Sequence, residues 1–388
     1  MRPKDVREQH IAVFGESGSG KTVLVSSFYG ATQEPDFQRS NLFDVVADDT
    51  GQGYRLHANY LGMRNAAQVP APTRFSSTPY AFSVKLRSPN PAASSARSFD
   101  SVRLVWHDYP GEWFEKDVSG PEEAQRRVDT FRSLLGSDVA FLLVDGQRLL
   151  DHVGEEERYL KSLLGSYRTG LLRLRDQLLD DGRPLVRFPR IWVLALSKAD
   201  LLPELDVYGF RDLIIARAAD DLDELRRVLE GLVDSREALS VGEDFVRLSS
   251  ARFEPNRISV SERIGIDLIL PLAAYLPFER HLKWIQRKQI STRLAEQFRS
   301  SAAPLAILLT KKAKILKVGG PAASLVSIVA SRLAVAAIDA AAELTSDQLR
   351  KLNEDALARK DDMRALLAQF ALDLDRGEED RVLLRSKR

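Results

Sequence analysis

The sequence predicts an α/β fold: a doubly wound, mostly parallel sheet with an antiparallel edge hairpin, followed by a helical carboxyl-terminal extension. Three observations carry this. Strand-length apolar runs at His10–Phe14, Asp138–Asp145 (DVAFLLVD) and Ile191–Leu196 (IWVLAL) are each followed by helical patterns, the alternation that builds parallel strands with crossover helices. Their uniform apolarity suits strands covered on both faces. Pro79–Arg87 (PYAFSVKLR) alternates, and Ser101–His107 (SVRLVWH) follows it across the Pro/Ser/Ala loop Ser88–Ser98, so this pair reads as a long-looped antiparallel hairpin. In such a sheet, ligands belong at the carboxyl ends of the strands.

The first apolar run leads into Gly15-Glu16-Ser17-Gly18-Ser19-Gly20-Lys21-Thr22, which fits the phosphate-binding pattern G-x-x-x-x-G-K-[ST], and Val23–Phe28 continues as a helix. The glycines let successive backbone N–H groups approach phosphate oxygens, and the helix start adds the positive end of its dipole. Lys21 would neutralise charge on the β- and γ-phosphates. The Thr22 hydroxyl would ligate the Mg²⁺ that bridges them.

Composition narrows the class. The 388 residues allow two or three domains, and 44% apolar content is enough for sizeable cores. Lys plus Arg number 56 against 55 Asp plus Glu, so no overall field recruits nucleic acid or an anionic membrane. The absence of cysteine removes disulfides, thiolate catalysis and Cys-based zinc sites, and agrees with an expected cytoplasmic location. The start, MRPKDVREQH, has no apolar core for a signal peptide. No uncharged apolar run reaches the roughly 18 residues of a membrane span. His10, His57, His107, His152 and His281 show no paired metal-ligand spacing and read as structural or surface groups.

After the loop helix, residues 30–72 form a long insertion in which Asp48, Asp49 and Thr50 can cap a helix running to about Ala67. Val69-Pro70-Ala71-Pro72-Thr73 is a Pro-stiffened turn. The second hairpin strand ends on Asp108-Tyr109-Pro110-Gly111-Glu112. A carboxylate at a strand tip with a glycine three residues on can hold a Mg²⁺-bound water and offer an N–H to a γ-phosphate; taken alone it is also an ordinary turn. Gln125–Leu135 reads as a helix. The strand Ile191–Leu196 delivers Ser197-Lys198-Ala199-Asp200, in which an ionised Asp200 can accept from both the N1–H and the 2-amino group of guanine. Lys198 can lay its stem along the base, and Ser197 can bond the phosphate loop or the base. A last short strand, Asp244–Leu248, ends in Ser249-Ser250-Ala251, where the N–H of Ser250 or Ala251 can reach the guanine O6.

GESGSGKT, a Thr before the hairpin, DYPGE, SKAD and SSA occur in the order of the P-loop GTPases with a Ras-like core, which the chain resembles over about residues 8–275. More loosely it resembles the bacterial GTPases of double-GTPase and conflict-associated systems. The resemblance implies GTP and GDP as ligands, Mg²⁺ as cofactor, hydrolysis to GDP and phosphate, and a nucleotide-controlled switch. It also implies a Thr that closes over the metal: Thr73 by position, with Thr50 or Thr32 as alternatives. Thr22, Thr73 and, through water, Asp108 are then the metal-side groups. Two departures stand out. Ser197 replaces the usual Asn or Thr, and Glu112 replaces the common Gln, so that a carboxylate faces the γ-phosphate. Repulsion there points to slow or partner-assisted hydrolysis, or to a nucleotide-dependent scaffold with little turnover. A P-loop ATPase would share the first motif but would not explain Asp108–Gly111 and Lys198–Asp200 together.

The expected division is a nucleotide domain over 1–277, closed by the helix Gly265–Tyr275, and a helical extension over 278–388. In the extension, Lys311, Lys312, Lys314 and Lys317 precede the Ala/Val/Ile-rich stretch Ala322–Ala342. Such a region suits a protein partner or activator. Peripheral contact with an anionic membrane, or packing on its own neighbours, are the other readings. On this division a chain ending near Tyr275 would keep nucleotide affinity.

Overall fold

The structure is a computed structural model that describes residues 7–70, 79–87, 101–109, 111–114, 120–179, 182–184, 191–233, 239–254, 257–277, 279–280 and 362–386. The phosphate loop joins β1 (Arg7–Phe14) to α1 (Lys21–Thr32). The insertion then forms α2 (Pro35–Ser40), β2 (Phe43–Ala47) and α3 (Thr50–Ala66). The edge hairpin is β3 (Tyr80–Leu86) and β4 (Ser101–His107), followed by α4 (Pro121–Leu135). Next come β5 (Val139–Asp145), α5 (Gly146–Asp151), α6 (Glu156–Leu178), β6 (Ile191–Ser197), α7 (Val207–Glu230) and β7 (Ser240–Leu248). A small hairpin of β8 (Arg252–Glu254) and β9 (Arg257–Ser259) leads to α8 (Ile269–Ala274), and α9 (Asp362–Glu379) precedes β10 (Leu383–Leu384).

Among the described residues the main sheet has eight strands in the order β10-β7-β6-β5-β1-β4-β3-β2. β7, β6, β5, β1 and β4 run parallel, and antiparallel strands close both edges. The alternation of burial explains why the central strands are apolar throughout. Ile11, Val13, Phe141 and Val193 face a layer built from α1, α3, α8 and α9, while Phe14, Leu142, Trp192 and Leu194 face α4, α6 and α7. Helices therefore cover both faces, as the runs require.

The capping expected before residue 50 is present: the Asp49 side chain accepts from the Gln52 N–H at 2.6 Å, at the start of α3. β2 is an element that sequence patterning did not separate from the insertion. Among the described residues its five residues pair only with β3, and Gln33 covers its Val45 carbonyl from the other side at 2.9 Å.

Residues 362–386, expected within the extension, are built into the sheet domain. β10 pairs with β7, and Leu366, Phe370, Leu374 and Leu383 are buried in the same core as β1 and α1. Phe370 meets Phe43 of β2 with ring centroids 5.6 Å apart, while Gly377 of the same helix lies against Leu268. The helix thus reaches across one face of the sheet and returns the chain to its far edge. The lysines Lys311–Lys317 and the segment Ala322–Ala342 lie outside the described residues. Among the described residues no helix is long and apolar enough to cross a membrane.

Candidate functional site

The loop after β1 bends because Gly18 and Gly20 take φ of +80° and +92°, the left-handed region that side chains resist, and Gly20 then caps α1. Lys21, at the first turn of α1, is buried. Its ammonium donates to the carbonyls of Gly15 at 2.7 Å and Glu16 at 3.1 Å, so the loop holds its own cation at its centre. Thr22 follows, half-buried. The Glu16 carboxylate turns to Arg148 of α5, 3.4 Å away, and Ser19 is buried with its hydroxyl beside Gly15.

β4 is the parallel neighbour of β1, so its exit lies beside the loop. Asp108 is buried there and accepts from the Tyr109 N–H at 2.8 Å. Burial pushes its carboxyl up to about 6, against the pull of the Lys21 ammonium and the Tyr109 N–H. Gly111 then touches the loop directly: a Cβ at this position would lie 2.4 Å from the Ser17 nitrogen and 2.6 Å from the Glu16 carbonyl carbon. Only glycine permits that approach, because both obstacles are backbone. Glu112 follows in the short 3₁₀ turn Gly111–Phe114, and its side chain lies outside the described residues, as does Thr73.

Tyr109 carries a role that the motif pattern did not suggest. Its hydroxyl accepts from the Gly15 N–H at 2.9 Å and lies 3.1 Å from the Gly15 carbonyl, to which it can donate, while Lys21 sits 5.1 Å from the ring centroid. Burial holds the phenol well above its ordinary value, so the proton stays on. One side chain thereby ties the turn after β4 to the loop after β1. The only sequence signal was an aromatic between two motif residues.

The base-reading candidates gather at the ends of β6 and β7. Lys198 adopts left-handed backbone, φ +53°, and its ammonium pairs with Asp145 Oδ2 at 2.8 Å. Asp145, buried at the end of β5, also caps α5 through the Gln147 N–H at 3.0 Å. The Lys198 head is thus anchored, which leaves its stem to line the pocket. Ser197 ends β6; its hydroxyl donates to Val144 O at 3.3 Å, and the residue lines the same pocket as Gly18–Gly20. Asp200 receives the Ser249 hydroxyl on Oδ1 at 2.5 Å and the Phe253 N–H on Oδ2 at 3.2 Å. Ser250 holds α1 in place, its carbonyl accepting from Ser27 Oγ at 2.8 Å, and Ala251 is buried.

A pocket of about 330 Å³ joins the two halves. Gly18–Gly20 line one end, Lys198 and Asp200 the other, and Val69 and Phe253 supply apolar wall. Val69 is 58% exposed, an apolar surface left open beside the site. Asp145 and Phe253 belong to the site although only their neighbours were singled out in the sequence.

A phosphate loop from β1 and a carboxylate from β6, opening into one pocket at the carboxyl ends of parallel strands, suit a ligand gripped by both its phosphates and its base. That arrangement defines a P-loop GTPase-type nucleotide-binding protein. The sequence matches the family model of Double-GTPase 2 over residues 9–232, and the chain belongs to that family. No curated protein matches it. Among solved structures it is similar to the signal recognition particle receptor SRb-GTP/SRX complex from Chaetomium thermophilum. There the identity is 16%, over 64% of this chain and 93% of that one, with a TM-score of 0.31. It is also similar to a chain of an oligomerised bacterial dynamin pair, at 15% identity over 97% of this chain and 65% of that one, with a TM-score of 0.24.

Proposed function

We propose that the protein binds GTP with Mg²⁺, hydrolyses it to GDP and phosphate, and uses the two nucleotide states as a switch. The observation that carries this reading is the contact of Gly111 with the backbone of Glu16 and Ser17, which sets the turn after β4 against the loop that would hold the phosphates. Lys21 neutralises the β- and γ-phosphates, and the Gly111 N–H meets the γ-phosphate in the triphosphate state. Thr22, Asp108 through water, and Thr73 would hold the Mg²⁺, which when bound offsets negative charge on the phosphate oxygens. The site suits that ion: its donors are all oxygen, and a buried carboxyl raised to about 6 beside one ammonium gains from a further cation when ionised. Lys198 and Asp200 select guanine, and a protein partner or activator engages the chain through its carboxyl-terminal region.

Guanine recognition predicts that GTP outcompetes ATP by orders of magnitude, since each buried polar group left unpaired costs roughly 1–3 kcal/mol. Asp200→Asn exchanges an acceptor oxygen for a donor amide and should shift preference toward xanthine nucleotides. Competition of ATP, GTP and XTP against a fluorescent nucleotide checks both points. Equal competition by ATP and GTP would replace the GTPase reading with an ATPase.

Glu112, in place of a Gln, motivates the second reading of a scaffold that holds GTP and turns it over little. Steady-state phosphate release, with and without cell extract, separates them. Release in either condition supports the enzyme, and none in both supports the scaffold.

A further inference from the structure

We infer that Arg247 and the carboxyl-terminal turn Arg381–Val382 form a clasp that positions the base-reading loop, so that affinity for the base is set from the end of the chain. The inference rests on the guanine reading above. The loop leaves β6 at Ser197, carries Asp200 in a 3₁₀ turn at Ala199–Leu201, and ends at Asp206, whose side chain caps α7 through the Gly209 N–H at 2.8 Å.

Two of its points are held from the carboxyl-terminal side. In its interior, the buried Arg247 of β7 brings Nη2 to 3.5 Å from the Ala199 carbonyl and 3.4 Å from the Leu202 carbonyl. The Arg247 N–H in turn donates to Val382 O at 2.8 Å. At the loop's exit, the Val207 N–H donates to Arg381 O at 3.1 Å, and Arg381 Nη1 pairs with Asp206 Oδ2 at 3.0 Å.

The turn making these bonds is held in place by its neighbours. Arg381 keeps φ at +56°, in the left-handed region, and the next residues enter β10, where the fully buried Leu383 pairs with Val246. Behind it, the Arg385 guanidinium is gripped by Glu279, Asp375 and Glu378. A residue that must offer two oxygens to two donors of one base tolerates little displacement, about 0.5 Å. Arg247 lies beneath the loop and outside the pocket lining, so it acts through the placement of Asp200 and is a positioning residue.

The test uses the full chain, with release of a fluorescent GDP followed by stopped flow, competition by IDP (which lacks the 2-amino group), and competition by inorganic pyrophosphate. Arg247→Gln is expected to speed GDP release roughly tenfold and to shrink the preference for GDP over IDP, with pyrophosphate competition unchanged. A general loss of structure would weaken both ligands alike. Arg247→Lys, which restores the charge, should recover much of the preference. Asp206→Asn keeps the helix cap, removes the pair with Arg381, and should accelerate release by a smaller factor. Wild-type release and preference in a folded Arg247→Gln overturns the clasp. Where that variant fails to fold, wild-type release by Asp206→Asn overturns it instead. Wild-type protein that holds GDP and ADP equally overturns the guanine reading and the clasp with it, whereas guanine selection with unaffected variants overturns the clasp alone.

Discussion

Lys21→Ala is expected to weaken nucleotide binding by on the order of a hundredfold or more, the largest effect of any single change in the site. The ammonium is buried and carries the loop's positive charge toward the phosphates, and a charge-assisted hydrogen bond to a ligand is worth roughly 1.5–3 kcal/mol, with more than one lost here. The loop itself should survive the substitution. The Gly15 carbonyl keeps the Tyr109 hydroxyl beside it at 3.1 Å, and the buried Asp108, already raised to about 6, can take up a proton when the ammonium is lost. Melting without nucleotide should therefore stay near the wild-type temperature, while the stabilisation by added GTP and Mg²⁺ disappears. Isothermal titration and thermal melting on the same preparation check both. Wild-type affinity in a folded Lys21→Ala protein would remove Lys21 from the phosphate site.

For stability, the largest loss is expected from Arg280→Ala. Arg280 and Asp244 form an ion pair in which both side chains are almost fully buried, 1% and 0% exposed. Asp244 also accepts from the Ser386 N–H at 2.9 Å and lies 3.3 Å from the Ser240 hydroxyl. The pair therefore joins β7 to both flanks of the residues between 280 and 362. Removing one partner leaves an uncompensated buried charge, at a cost of roughly 3–5 kcal/mol.

The pH dependence has a definite sign. Burial raises the Asp244 carboxyl above its ordinary value even with Arg280 beside it, and without Arg280 the rise is larger. A carboxyl whose folded value lies above its unfolded value favours the fold when protonated, and that contribution fades as pH rises through the folded value. The deficit of Arg280→Ala should thus be greatest at neutral and alkaline pH and shrink in mild acid. Replacing both partners, Asp244→Leu with Arg280→Met, should recover most of the loss. Urea unfolding across pH measures all three proteins. A single variant as stable as wild type at pH 8 would show that the pair contributes nothing.

Much of the architecture was written in short stretches. The phosphate loop lies between β1 and α1 in one continuous run, so its glycines, Lys21 and the following helix were legible together. β5 and β6 were legible because burial on both faces demands unbroken apolar sequence; Asp200 could be placed because it lies three residues past the end of β6, and Asp108 because it follows directly on the hairpin strand β4. The order of those motifs along the chain already implied their meeting at one end of the sheet.

Tertiary structure decided the rest. Lys198 finds Asp145 across 53 residues, Tyr109 finds Gly15 across 94, and β10 finds β7 from the far end of the chain. The Ser197 hydroxyl likewise finds its acceptor, Val144 O, on the neighbouring strand. β2 lacked a pattern of its own because its stability comes from pairing with β3 across the whole of α3. Periodicity and capping are properties of a few consecutive residues and leave their mark in any window that contains them. A hydrogen bond between distant residues depends on which elements the core brings side by side, and neither residue type alone records its partner.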